Sequence, residues 1–208
     1  MTRFNKVGGL KKIFWLKVAP ATATIIKNFS RELMTLAKIF EAEILSNEKV
    51  AEKIYRLTVD APELARTARA GQFVQVKISD DFTLRRPLGI ASTFGGCVKI
   101  FYRVVGRGTE TLSTKKTGER LNILGALGNG YSPREGKVLL VGGGMGLAPL
   151  LLAAEKFSAG VLMGGRNQGE VLFWQEEFKP HADKIFITTD DGSYARKGFA
   201  VDLLPDIL

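Results

Sequence analysis

The sequence predicts a small antiparallel β-barrel followed by an α/β domain built on a parallel sheet. Short runs of alternating apolar and polar residues recur at close spacing between Gln72 and about residue 124, with Gly-containing turns between them. That is the pattern of strands in a small barrel. From Lys137 the chain changes to continuous apolar runs separated by helix-like spacing, as in a parallel sheet with crossover helices. The first of these runs ends in Gly142-Gly143-Gly144-Met145-Gly146, a strand-to-helix turn in which glycine lets a ligand approach the backbone. A chain of 208 residues is long enough for two small cores.

Residues 1–33 stand apart. They carry seven basic side chains and one acid, Glu32, and supply +6 of the net charge of +9. They show no periodicity, whereas a clean pattern begins at Met34. The sequence therefore predicts a basic N-terminal extension, disordered or the product of an upstream start, with the natural start at Met34. N-terminal sequencing of the native protein checks this. The barrel domain is expected over 34–133. Its first strands fall at about 37–45 and 53–60 around a turn at Ser46-Asn47-Glu48. The run 72–79 (QFVQVKIS) follows. The run 98–105 (VKIFYRVV) sets Val98, Ile100, Tyr102 and Val104 against Lys99, Phe101, Arg103 and Val105. A short helix at about 108–115 leads to a strand at 119–124. The turn-rich stretch Ser132-Pro133-Arg134-Glu135-Gly136 marks the boundary. The α/β domain is expected over 134–208, with strands at 137–141, 160–164 and 184–189 and a helix at 169–178.

Composition excludes several classes. Hydrophobic residues at 45% and charged residues at 25% are those of a globular chain, not a low-complexity one. Outside residues 1–33 the excess charge is only +3, without a basic face interleaved with aromatics, so nucleic-acid binding is not expected. Cys97 is the single cysteine. This chain alone therefore forms no disulfide and no cluster held by several thiolates. Its apolar, alternating surroundings predict a buried core thiol. The most apolar stretch, 13–26, is broken by Lys17 and Pro20 and falls short of the roughly 18 apolar residues of a membrane span. The expected location is cytoplasmic. His181, the only histidine, sits beside Pro180 in a loop and reads as a solvated imidazole. Asp190 and Asp191 are neighbours along a strand end and face opposite ways. No metal-ligand spacing is present.

Three motifs carry chemistry. The glycine turn at 142–146 offers backbone NH groups to a phosphate, although it lacks the strict G-x-G-x-x-G spacing and could be a tight turn only. In Arg85-Arg86-Pro87-Leu88-Gly89-Ile90-Ala91-Ser92, Arg86 offers a planar fork to a phosphate; alone, this reads equally as a strand with two surface arginines. Gly106-Arg107-Gly108-Thr109 could present NH groups and a hydroxyl to a pyrophosphate, or cap the helix that follows.

Together, in this order and spacing, these motifs resemble the ferredoxin-NADP reductase superfamily, in which an R-P-x-S/T strand and a G-x-G-T turn bind flavin and a V-G-G-G-x-G-x-x-P turn binds the nicotinamide dinucleotide. Thr189-Asp190-Asp191-Gly192-Ser193, Lys197-Gly198-Phe199 and Asp202-Leu203-Leu204 narrow the match to the electron-transfer subunits of NAD-dependent dihydroorotate dehydrogenases, over about residues 36–208. The resemblance implies an FAD-binding barrel and an NAD-binding α/β domain. Arg86, Pro87, Leu88 and Gly89 would lie along the flavin, with Tyr102, Arg103 and Val104 on the next strand and Gly108 and Thr109 at the pyrophosphate. Gly142, Gly143, Gly144, Met145 and Gly146 would face NAD(H), and Arg166 the adenosine side or solvent. It implies hydride transfer from NADH to FAD and onward transfer through a 2Fe–2S cluster on four cysteines. The acceptor would be FMN in a separate dihydroorotate dehydrogenase catalytic subunit, within a heterotetramer serving pyrimidine biosynthesis. Two alternatives stay open: a related oxidoreductase subunit with another partner, and a flavin-binding module without redox turnover.

Two departures matter. Gly89 stands where the family has Ser or Thr, with Ser92 three residues on. The family also continues past Asp202-Leu203-Leu204 into a further strand and the cluster cysteines. By that resemblance the NAD-binding sheet here is incomplete: the strand at 137–141 is expected to be an open edge, with weak NAD binding and no transfer to the catalytic subunit. The residues after the second parallel strand, Gly165-Arg166-Asn167-Gln168, carry no clear acid for a ribose.

Overall fold

The computed structural model describes residues 13–14, 38–132 and 136–208. These form two compact units: residues 38–131, and residues 13–14 with 132 and 136–208. Apart from Ile13 and Phe14, which form β1 (Ile13–Phe14) of the second unit, the extension expected at 1–33 and the start expected at Met34 lie outside the described residues.

The first unit is a closed antiparallel barrel. Its strands are β2 (Lys38–Ala51), β3 (Ile54–Asp60), β4 (Phe73–Lys77), β5 (Arg86–Phe94), β6 (Cys97–Arg103) and β7 (Arg120–Leu127), in the order β2-β3-β6-β5-β4-β7. Alternation fills the interior: Leu57 and Val59, Val98 and Ile100, Val74 and Val76, and Leu121 and Ile123 are all buried, each pair two apart on its strand. Two helices, α1 (Pro62–Thr67) and α2 (Arg107–Thr114), interrupt the strands. The turn expected at Ser46-Asn47-Glu48 is absent. β2 runs through it to Ala51, and the chain reverses at Glu52-Lys53, where Lys53 takes a left-handed φ of 58°. Register shifts between Ile44 and Ser46 and between Lys49 and Ala51 let this long strand bend with the barrel. Asn47 does not turn the chain because its side chain is used elsewhere: Nδ2 donates to Leu112 O (2.8 Å) and Lys115 O (3.1 Å) at the end of α2.

The second unit is a parallel sheet in the order β1-β8-β9-β10-β11, with β8 (Val138–Gly143), β9 (Ala159–Gly165), β10 (Lys184–Thr189) and β11 (Arg196–Lys197). The crossovers are α3 (Ala148–Lys156) and α4 (Gln168–Phe178), and α5 (Leu204–Ile207) ends the chain. α4 buries Val171, Trp174 and Phe178, the i, i+3, i+7 stripe of a helix lying on a sheet. The open edge expected at β8 is corrected: Ile13 and Phe14 pair in parallel with Leu139 and Leu140. The free backbone groups of an exposed strand favour such pairing.

Candidate functional site

In the barrel, the adjacent arginines have different roles. Arg85 donates to Gln75 O (3.3 Å), to Asn122 O (3.1 Å) and to the Asn122 side chain. It ties β4 to β7 and is structural. Arg86 donates to Leu84 O (2.8 Å), and its Cζ stands 5.5 Å from the Phe82 ring centroid. Its guanidinium also lies on Gly108: a Cβ there would come within 2.6 Å of Nε and 2.9 Å of Nη2. The fold thus brings together two motifs that are 22 positions apart in sequence.

Gly108 belongs to the first turn of α2, whose leading NH groups have no acceptor within the helix. The Thr109 hydroxyl is used to close that turn. It accepts from Val105 N (3.0 Å) and Gly106 N (3.3 Å) and donates to Gly106 O (3.0 Å). What this turn presents outward is backbone NH, with an Arg86 fork beside it, a combination suited to a phosphate. Leu88 shares the face of Arg86, opposite Val74, whereas Pro87 and Gly89 lie on the other face, opposite Gln75 and Phe73. Ser92 is buried beyond a register shift, opposite Lys99, and three strand residues span about 10 Å. It does not stand in for a hydroxyl at position 89.

Tyr102 turns into the barrel. Its ring is buried and stacked on Tyr55 at 5.5 Å, and its hydroxyl donates to Asn47 Oδ1 at 2.9 Å. Burial pushes the phenol above its ordinary range, with the Asn47 bond opposing. Any contact of Tyr102 with a ligand therefore falls to its backbone. Arg103 ends β6 half-buried, and Val104 leaves the ladder by donating to Lys53 O (2.8 Å).

In the α/β unit, Gly142 and Gly143 end β8 and a 3-10 turn at Gly144–Leu147 leads into α3. The glycines differ in purpose. A Cβ on Gly142 would meet Leu150 at 2.8 Å and Leu147 at 3.1 Å, so this position serves close packing of α3 on the sheet. Gly144 needs its left-handed φ of 52°, and beyond Gly146 nothing stands within 4 Å. That open side, lined by the NH groups of a helix start, is where an anion would approach. Met145 is half-buried within the turn.

The structure also supplies an acid that the sequence reading missed. Glu170 Oε1 lies 3.4 Å from where a Cβ of Gly144 would be. Its Oε2 accepts from Arg166 N (3.1 Å) and faces Arg166 Nε at 3.5 Å. Its side chain is 11% exposed and that of Arg166 70% exposed. The sequence signal was the helix start itself, Asn167-x-x-Glu170, in which Asn167 Oδ1 accepts from Glu170 N (3.2 Å). The Asp190–Ser193 turn rests on the same loop: Ser193 Oγ accepts from Gln168 N (2.8 Å) and Asp190 N donates to Gly165 O (3.0 Å).

Elsewhere, Cys97 is half-buried beside the Gly95-Gly96 turn, not in the core as expected. His181 stands 3.8 Å from Glu155 and belongs to none of the motifs. Among the described residues no cluster of metal-ligating side chains occurs, and no helix is long and apolar enough to cross a membrane.

No protein-family model matches the chain. It is 39% identical over 180 residues to the dihydroorotate dehydrogenase B (NAD(+)) electron transfer subunit of Desulforamulus reducens, covering 81% of this chain and 68% of that one. To the Bacillus pumilus protein of the same name it is 37% identical over 175 residues, covering 78% and 67%. It thus spans about two thirds of the length of these curated relatives. Among solved structures, an NADH-dependent reduced ferredoxin-NADP oxidoreductase is similar at a TM-score of 0.73 and 30% identity, over 81% of this chain and 63% of that one. A ferredoxin NADP+ reductase from Neisseria gonorrhoeae, solved with FAD and NADP, shares the fold at a TM-score of 0.65 and 17% identity, over 81% and 76%. A closed antiparallel barrel carrying Arg86 against Gly108, a parallel sheet ending in the glycine turn, and these relatives lead to one conclusion: the chain belongs to the family of dihydroorotate dehydrogenase B (NAD(+)) electron transfer subunits.

Proposed function

We propose that this chain is a flavin-bearing component that moves electrons between NAD(H) and the FMN-containing catalytic subunit of a dihydroorotate dehydrogenase. The observation that carries the reading is the Arg86 guanidinium seated on Gly108 at the start of α2. It sets a fork of donors beside free helix-start NH groups, a cradle for the pyrophosphate of FAD. Bound there, FAD would accept a hydride from NADH and release its electrons one at a time. The protein's part is to bind and orient. Arg86 and the NH groups of α2 hold phosphate, Leu88 and the backbone of Tyr102 to Val104 lie along the flavin, and the turn at 142–146 receives the NAD(H) phosphates at its open side.

A 2Fe–2S cluster does not fit this chain's own residues. Four thiolates are required, and Cys97 is the only cysteine in the sequence.

The test begins with the purified chain and added FAD. Saturable quenching of flavin fluorescence at one equivalent is expected, then bleaching of the visible flavin band by NADH. Co-elution with an FMN-bearing catalytic subunit as a heterotetramer would support that partner over a ferredoxin-type one, the second reading that likeness to the reduced ferredoxin-NADP oxidoreductase favours. A folded chain that takes up no FAD defeats the proposal.

A further inference from the structure

We infer that the Arg166–Glu170 pair sets the choice between the two nicotinamide dinucleotides, with Glu170 excluding a 2′-phosphate. The inference rests on the proposed NAD(H) site at the glycine turn. In open parallel sheets, ligands bind beyond the carboxyl ends of adjacent strands, and an acid after the second strand serves the adenosine ribose. β8 and β9 are such neighbours, paired in parallel from Val138–Ala159 to Gly143–Gly164. The glycine turn follows β8, and Arg166 and Glu170 follow β9.

The carboxylate of Glu170 is positioned by its own chain. One oxygen takes Arg166 N at 3.1 Å, and the other faces Gly144, 3.4 Å from where a Cβ would stand. Arg166 Nε is 3.5 Å from the same carboxylate, so the cation of this corner is already matched by an anion. A neutral ribose hydroxyl meets no net charge there. A dianionic phosphate meets a carboxylate held in place by the Arg166 amide, and an arginine already engaged.

The experiment uses the full FAD-loaded chain and calorimetric titration with NAD+ and with NADP+, which differ only in the 2′-phosphate. Wild type is expected to prefer NAD+. Glu170→Gln keeps an acceptor for Arg166 N, removes the charge and releases Arg166. The NADP+/NAD+ affinity ratio should rise about tenfold. Adding Arg166→Gln should abolish that gain. Arg166→Gln alone, at an exposed side chain that leaves folding intact, should lower the ratio below wild type. A ratio unmoved by both single variants, with NAD+ still bound, overturns the inference and leaves the dinucleotide site standing. A folded wild-type chain that binds neither nucleotide overturns the site itself, and the inference with it.

Discussion

Replacing Gly108 with alanine isolates the contact on which the flavin reading depends. The new Cβ would stand 2.6 Å from Arg86 Nε, 2.9 Å from Nη2 and 3.0 Å from Cζ. Contacts of this kind settle near ~3.5 Å, so Nε must retreat by about 0.9 Å. The guanidinium then gives up its bond to Leu84 O, its place over Phe82, or both. A hydrogen bond to a charged group contributes about 1.5–3 kcal/mol. Within α2, alanine is favoured over glycine by about 1 kcal/mol, which offsets part of the loss in the free protein. Stability of the free chain should therefore fall by no more than about 2 kcal/mol. In FAD binding there is no such offset: a misplaced fork loses a charged bond to phosphate, and affinity should drop about 10- to 100-fold. Fluorescence-quenching titration with FAD, beside a melt of the free protein, reads the two quantities separately. Unchanged FAD affinity in a variant that melts normally would refute the assignment of Arg86 and Gly108 to the flavin site.

Tyr102→Phe removes the donor to Asn47 Oδ1 inside the barrel and should cost about 1–1.5 kcal/mol, seen as a lower urea midpoint. Thr188→Val should do the reverse. The Thr188 hydroxyl is buried without a hydrogen-bond partner among the described residues, and an isosteric methyl should leave stability unchanged or raise it by about 1 kcal/mol. The Asp191 carboxyl is held below its ordinary range chiefly by bonds from Ser193. Its support of the Asp190–Ser193 turn is thus complete above the unfolded carboxyl value near ~4 and is lost as pH falls through the lower folded value. The Ser193 amide resonance should titrate only in that acid range.

Much of the architecture was legible because side-chain periodicity encodes it. Val74 and Val76 or Val98 and Ile100 announce a half-buried strand, and the run into Gly142 announces a strand buried on both faces. What escaped the sequence depends on tertiary partners. Ser46-Asn47-Glu48 has the composition of a turn, yet Asn47 finds three partners across the barrel, and these override the local preference. The pairing of Ile13 and Phe14 with β8 is a backbone match between distant segments, and no side-chain pattern records it. Glu170 is hidden for a related reason: it lies beyond the loop that follows β9, and only the first turn of α4 carries the acid back beside Gly144.

The two arginines show where the limit lies. Arg85 and Arg86 are chemically identical and adjacent, and no local rule tells them apart. Their side chains leave the strand on opposite sides. Arg85 is thereby delivered to three acceptors on Gln75 and Asn122, enough to fix it within the barrel wall. Arg86 is delivered to a helix start where glycine has cleared the space. Swapping their roles would take a one-residue slip of β5 against β4, which would also move Leu88 off Val74 and place Pro87 opposite it. The register that buries the core therefore also selects which arginine is offered to a ligand. A shift in that register should disable the proposed flavin site and the barrel together.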